Sequence, residues 1–243
     1  KMIVLSATYR QSSHVTEELV ARDPDNRLLA RGPRFRLTGE LIRDSALAAS
    51  GLLVPKIGGP STRPYMPLGV WDETSKYGNL RNYKRDVGEG LHRGTLYTIW
   101  KRTAAPPTML LFDAPNRETC TVKRSRTNTP LQALSLLNEV TFVEAARGLA
   151  ARMIQEGGST PESRIAYGFQ LTVSRTPTPK EMQVLLEGLS EDRARYASDA
   201  DAAKKLVAFG DSQVGETLDV QELAAYVLTA NVLLNLDEFV TKE

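Results

Sequence analysis

The chain has 243 residues, 41% of them hydrophobic and 25% charged, a balance typical of globular proteins that excludes a wholly disordered chain. Lys and Arg number 31 against 29 Asp and Glu, so a net charge of +2 gives no overall electrostatic case for nucleic acid or an anionic membrane. No apolar run reaches the roughly 18 to 20 residues of a membrane span, and the single Cys120 excludes an internal disulfide, a four-cysteine zinc site and a Cys-x-x-Cys-His haem attachment. We therefore expect no cofactor or metal in this chain, and any anion binding must be local.

The first 53 residues contain two helical patterns. Met2, Leu5 and Tyr9 share one helical face, which indicates the tail of a helix and suggests a piece of a longer protein. Residues 35–53 place apolar side chains at the 4-3-4 spacing of one helical face, namely at Ile42, Ala46, Ala49 and Leu53. On the polar side, Arg36, Glu40 and Arg43 are spaced for ion pairs.

A long segment rich in Gly and Pro follows, over residues 55–90, and contains too many helix and strand breakers for long regular structure. We expect an ordered loop or insertion that contains Tyr65, Trp71, Tyr77 and Tyr83. Residues 95–100 are β-branched and aromatic and predict a short strand, ended by two prolines.

The second half has clear helix starts. Thr129, Thr160 and Thr178 each precede a proline at the first helical position, and Gln132 and Glu181 complete capping boxes. Asp219 opens a last helix. Leu131, Leu134 and Leu137 follow the first start at helical spacing, which predicts an apolar face.

These patterns predict a mainly α fold, a helical bundle with a minor β element and a long Gly/Pro-rich loop. We expect one mostly helical domain over residues 1–243, in which residues 1–128 supply a helix, the long loop and a short strand region. Residues 129–243 then form the bundle.

An ordered series of short motifs carries a family resemblance. Residues 6–13, 25–29, 58–61, 112–115 and 129–134, together with Glu238-Phe239 near the end, follow one another in the order of that family's motifs. The chain resembles the planctomycete cytochrome c-associated C-terminal domain of unknown function. The resemblance implies that the domain lies at the C-terminal end of a large exported protein. The expected location is therefore outside the cell or in the periplasm. The resemblance also implies partners within that polypeptide: a preceding uncharacterised domain and a cytochrome c domain.

A basic cluster precedes the helix start at Pro130 and comprises Arg117, Lys123, Arg124, Arg126 and Asn128. A helix N-terminus offers unpaired N–H groups and a positive dipole end, so adjacent arginines would complete a site for carboxylate, sulfate or phosphate. The plainer alternative is that these arginines pair with Asp113, Glu118 and backbone carbonyls and hold their loop against the bundle.

A second cluster interleaves cations with aromatic rings, and its candidate binding residues are Arg93, Tyr97, Trp100 and Arg102. Aromatic faces beside cations suit stacking on a sugar ring while the charges hold its acidic substituents. The alternative is that Tyr97 and Trp100 supply buried core area.

The sequence contains no specific catalytic motif, and the catalytic residues stay unknown. Glu40 with Asp44, or Asp72 with Glu73, would supply carboxylate pairs, and the two histidines, His14 and His92, are far apart in the chain. Cys120 lies near cations, but a lone cysteine is more often buried than reactive.

We therefore expect a non-catalytic accessory or binding module of a larger exported protein, with an acidic or sulfated polysaccharide as its ligand and no nucleic acid. One alternative is an enzyme whose site the preceding domain completes, with Glu40, Asp44 or His92 contributing. Another is a scaffold that docks a cytochrome c domain through an apolar face around Met2, Leu5 and Leu29.

Overall fold

The structure, a computed structural model, describes residues 1–71, 83–101, 103–213 and 218–242. Within these ranges it is built mainly from helices and confirms the mainly α fold. In chain order the helices are α1 (Met2–Leu5), α2 (Glu17–Arg22), α3 (Gly39–Ala49), α4 (Glu89–His92), α5 (Pro107–Leu111), α6 (Pro130–Asn138), α7 (Val140–Glu156), α8 (Pro161–Val173), α9 (Pro179–Ser198), α10 (Ala200–Val207), α11 (Val220–Leu234) and α12 (Asp237–Val240). A short antiparallel ribbon joins β1 (Phe35–Arg36) to β2 (Thr241–Lys242).

Four helix starts of the second half, those of α6, α8, α9 and α11, are those that the sequence predicts, whereas α7, α10 and α12 begin where it predicts none. The side chains of Thr129, Thr160 and Thr178 each accept a hydrogen bond from the backbone N–H three residues later, and a proline follows each of them. Asp219 caps α11 in the same way, since its Oδ1 accepts the Glu222 N–H at 2.8 Å. Each cap satisfies a backbone donor that the helix itself leaves unbonded, and is worth about 1 kcal/mol.

The core is organised around α7 and α11. Both are buried along most of their length, and α11 also packs against α9 and α10. The core cluster includes Ile42, Ala46 and Phe112 from the first part of the chain as well as side chains from the bundle. Burial of each large apolar side chain in such a core contributes about 1.5–3 kcal/mol.

The predicted strand at residues 95–100 is wrong. Thr95–Tyr97 is a single 3₁₀ turn, because Asp44 Oδ1 accepts hydrogen bonds from the Thr95 N–H at 2.8 Å and from Thr95 Oγ1 at 2.6 Å. This local capping outweighs the weak intrinsic strand preference of β-branched and aromatic residues. The strands lie instead at β1 and β2, where Phe35 is opposite Lys242.

The predicted apolar face of α3 is confirmed, since Ile42, Ala46 and Ala49 are buried, but its polar side and the predicted face of α6 differ from the structure. The helix predicted from residue 35 begins at Gly39, and Arg43 is not on a polar face but only 4% exposed, donating to the carbonyls of Leu91 and Arg93. In α6 the three leucines of the predicted apolar face are exposed. The buried residues of that helix are Gln132 and Leu136, and Gln132 Nε2 donates to the Leu111 carbonyl at 2.8 Å.

Among the described helices, none is both long and apolar enough to cross a bilayer. Cys120 is exposed, so the expectation that it is buried is wrong.

Candidate anion-binding groove

An open cavity of about 780 Å³ lies between β1 with the residues that follow it and the segment 122–126. Four cationic side chains line it, namely Arg36, Lys123, Arg124 and Arg126. One carboxylate, that of Asp113, lies among them. A second cavity of about 380 Å³ is lined by Phe35, Asn128 and Asp237 among others, and shares Arg36 and Arg126 with the first. We call the two cavities together the cationic groove, and each one a basin.

Asp113 fastens the wall of the groove to the start of α6. Its carboxylate Oδ2 accepts hydrogen bonds from the Thr127 N–H at 2.7 Å and from the Thr127 hydroxyl at 2.8 Å. Thr127 Oγ1 in turn accepts a hydrogen bond from Gln132 Nε2 at 3.0 Å. Asp113 has a φ of 61°, a left-handed conformation that Asp tolerates better than most residues. The loop is thus held by a carboxylate and not, as the sequence suggested, by arginine pairs with Asp113.

The cations of the first basin differ in what already neutralises them. Arg124 Nη1 lies 3.0 and 2.9 Å from the two carboxylate oxygens of Glu40. Burial alone would raise the pKa of Glu40, but the hydrogen bond from Arg124 and further hydrogen bonds outweigh it and lower that pKa. Lys123 and Arg126 pair with no carboxylate of the described residues. The Arg126 guanidinium instead lies 4.3 Å from the centroid of the Phe35 ring.

Arg36 lies between the two basins. Burial lowers its pKa, while the charges of Asp237 and Asp113 act in the opposite direction. Its Nε is buried and has no hydrogen-bond partner among the described residues. A cation that has lost part of its water gains more from a nearby anion than a fully hydrated one, because the local dielectric constant is lower.

The start of α6 does not leave its backbone donors free for a ligand in the way that the sequence suggested. Thr129 Oγ1 accepts the Gln132 N–H at 3.4 Å, and Gln132 Oε1 accepts the Thr129 N–H at 3.5 Å, so the capping box already uses both groups. Side-chain cations therefore account for the electrostatics of the groove.

Arg93 and Tyr97, from the second predicted cluster, fasten a loop and do not line the groove. Arg93 is 6% exposed and donates hydrogen bonds to the carbonyls of Lys56, Gly58 and Pro60. Its guanidinium also lies 3.9 Å from the centroid of the Tyr97 ring, and the Tyr97 hydroxyl accepts the Gly58 N–H at 2.7 Å.

Trp100 and Arg117 form a separate stacked pair. The Arg117 guanidinium lies 4.3 Å from the Trp100 ring centroid, and Trp100 Nε1 donates to the Asn116 carbonyl at 3.2 Å. Neither residue lines a basin of the groove. Arg102 lies outside the described residues.

A buried polar centre, which the sequence did not reveal, surrounds Glu144. This side chain is fully buried, and its carboxylate lies 3.0 Å from His92 Nε2 and accepts the Ser212 N–H at 2.5 Å and the Tyr65 hydroxyl at 3.3 Å. Burial alone would raise its pKa, but the hydrogen bonds from His92 and Ser212 outweigh it and lower the pKa to about 2. Burial raises the pKa of Tyr65 to about 12. Glu144 is 0% and His92 is 6% exposed, so both side chains are buried, whereas Tyr65 and Ser212 are partly exposed.

The carboxylate scheme of Glu40 and Asp44 with His92 does not come together in one site. Glu40 pairs with Arg124, Asp44 holds Thr95, and His92 contacts Glu144. His14 is exposed, whereas Asp72 and Glu73 lie outside the described residues. The part of the chain that the structure describes contains no cluster of three or more His, Cys, Asp or Glu side chains arranged for a metal ion.

The sequence reasoning missed Arg36, Phe35 and Arg34 as residues of the groove. Residues 34–36 do alternate cations with an aromatic residue, which is typical of a strand. The helix predicted from the apolar spacing further on was instead taken to begin at residue 35, and so included two of these residues. The partner strand β2 is 205 residues further on and carries no comparable pattern.

Comparison with curated proteins and with solved structures gives no significant match. A family model described as "PSD1: Protein of unknown function (DUF1553)" matches residues 1–189. That match covers the groove except for the residues of α12 and β2, and ends within α9. On this basis the chain belongs to the PSD1 family of proteins of unknown function (DUF1553).

Proposed function

We propose that this chain is a non-catalytic binding module that takes an acidic or sulfated polysaccharide into the cationic groove. The proposed setting is a larger exported protein of planctomycete type, with an uncharacterised domain and a cytochrome c domain in the same polypeptide. That setting rests on the motif resemblance alone. The groove supports the ligand class.

One observation carries the proposal: Lys123 and Arg126 face an open cavity of about 780 Å³ without a carboxylate partner among the described residues. Cations grouped around a cavity repel one another, so a bound anion lowers the electrostatic free energy of the site. Sulfate and carboxylate substituents offer oxygen acceptors that suit lysine and arginine donors.

The test is a calorimetric titration with a sulfated glucosamine–uronate hexasaccharide. We expect Lys123→Ala and Arg126→Ala each to weaken binding by about 3- to 10-fold, which corresponds to roughly 0.7–1.4 kcal/mol for an exposed charge pair. Binding of the unaltered chain should also weaken as salt rises, because exposed charges are screened. Arg124→Ala is a poorer test, since it would leave Glu40 without its partner.

Lys205→Ala is the matched control, because Lys205 is exposed, lines neither basin and carries the same charge. It should bind the hexasaccharide as the unaltered chain does. Equal weakening by Lys205→Ala would mean that only net charge matters. No binding by the unaltered chain would exclude the proposal and leave the scaffold role, in whose favour Met2, Leu5 and Leu29 are 90%, 64% and 55% exposed.

A further inference from the structure

A second set of cations and rings continues the groove across the β ribbon. Because Phe35 is opposite Lys242 in the ribbon, the Lys242 Nζ lies 5.7 Å from the centroid of the Phe35 ring. The same Nζ lies 4.6 Å from the centroid of the Tyr9 ring. Arg126, on the groove side, lies 4.3 Å from the Phe35 ring. Phe35 thus has a groove cation and a ribbon cation against the same ring.

Backbone contacts hold the residues just after Tyr9 against the segment that leads into the ribbon. The Gly32 N–H donates to the Ser12 carbonyl at 2.8 Å, which joins the segment before β1 to the segment that carries Tyr9. A Cβ at position 32 would lie 2.6 Å from the Gln11 carbonyl oxygen, so only glycine permits this close approach. Tyr9 remains 47% exposed.

Cation–ring contacts of this kind hold a long side chain in place without consuming its hydrogen-bond donors. Each such contact reduces the freedom that lysine or arginine would lose on binding a ligand. The ammonium group of Lys242 and the guanidinium of Arg126 therefore keep donors for anionic oxygens on either side of Phe35.

We propose, on the basis of the proposed function, that the binding surface runs from the cationic groove over Phe35 to Lys242 and Tyr9, and that its ligand is a polysaccharide chain bearing anionic groups on successive units. A ligand with a single anionic group would occupy the groove alone. This surface favours a sugar polymer over a single-stranded nucleic acid. Cations already lie against the Phe35 and Tyr9 rings, whereas nucleobases bind by stacking on free aromatic faces.

The experiment measures Kd for a sulfated glucosamine–uronate tetrasaccharide and for a decasaccharide of the same repeat. The unaltered chain should bind the decasaccharide more tightly. We expect Lys242→Ala and Tyr9→Ala to weaken decasaccharide binding by about 3- to 10-fold while tetrasaccharide binding stays within about twofold. Lys205→Ala should leave both unchanged, and far-ultraviolet circular dichroism should show that each variant is folded.

The outcomes separate this proposal from the one on which it rests. If Lys123→Ala weakens both ligands but Lys242→Ala weakens neither, the groove stands and the extension is wrong. If Lys123→Ala and Arg126→Ala change neither Kd, the binding role of the groove itself is wrong. Tighter binding of a single-stranded DNA of equal charge would overturn the choice of a polysaccharide.

Discussion

At the scale of single residues, the arginines of this chain have different structural roles. Arg147 is 3% exposed and donates to the carbonyls of Val207 and Ser212, Arg93 fastens a loop, and Arg126 rests on a ring beside an open cavity. The sequence shows cations close together along the chain but not which carbonyls or rings they meet. It therefore predicted Arg93, in a cluster of its own, as a binding residue like Lys123 and Arg126, although Arg93 fastens a loop.

Glu144 gives a prediction at the same scale. Glu144→Gln keeps the shape of the side chain but leaves His92 and Arg147 without the carboxylate that they contact. We expect the free energy of unfolding to fall by about 3 kcal/mol at pH 6, as for removal of one member of a buried ion pair. Urea unfolding measures it. Glu156→Gln, which removes a half-exposed pair with Arg152, should cost less than about 1 kcal/mol.

The pH dependence of this loss in the free energy of unfolding tests whether the charge of the Glu144 carboxylate causes it. The pKa of Glu144 is lowered from 4.5 to about 2 on folding, so its stabilisation is complete above about pH 4.5 and is lost as pH falls towards 2. The loss caused by Glu144→Gln should therefore shrink over that interval. A loss that stays constant from pH 6 to pH 2.5 would show that the carboxylate charge is not responsible.

At the scale of elements, the capped helix starts were predictable, whereas helix faces were predicted only in part: Ile42, Ala46 and Ala49 are buried as predicted, but the leucines of α6 are not. A cap depends on four neighbouring residues, such as Thr178 and Glu181, so the chain itself contains the whole interaction. The buried face of a helix depends on its neighbours. In α6, Gln132 is buried because the Leu111 carbonyl and Thr127 are there to bond it, while Leu134 stays 52% exposed.

Two glycines within helices offer a matched test of packing. A Cβ at Gly168 of α8 would lie 2.8 Å from Leu233 Cδ1 and 2.9 Å from Met153 Sδ, whereas a Cβ at Gly188 of α9 would meet nothing within 4 Å. We expect Gly168→Ala to destabilise by about 1–3 kcal/mol through overpacking. Gly188→Ala should stabilise by about 0.5–1 kcal/mol, since alanine favours a helix interior. Urea midpoints at unchanged m-value report both, and destabilisation by Gly188→Ala would contradict the described packing.

At the scale of the whole molecule, the family match does not include every helix that builds the core. The match ends at residue 189, yet α11, with ten buried residues, is at the centre of the core. Ile42, Ala46 and Phe112 belong to the same cluster as the bundle. The sequence predicted the bundle from its caps but not the part that α3 and α5 play in its core, because contacts between distant segments leave no local pattern. The division of the domain at residue 128 stays a prediction.

A chain that ends at residue 189 should therefore not fold cooperatively. Without α10 and α11, the sides of α7 and α8 that pack against α11 would face water. We expect a broad urea transition and strong binding of a hydrophobic dye, as for a loosely packed state. A sharp transition in the shortened chain, with an m-value in proportion to its length, would contradict the central place of α11.

The Glu144 carboxylate has a consequence for how this molecule tolerates sequence change. It bonds Tyr65, His92 and Ser212, which are separated by 27 and 120 positions along the chain, and lies 3.6 Å from Arg147. Substitutions in one shared network do not add in their free-energy effects. A replacement at one of these positions thus alters the loss of stability that a replacement at each of the others causes. Sequence changes in three distant segments are therefore coupled through the buried Glu144 carboxylate.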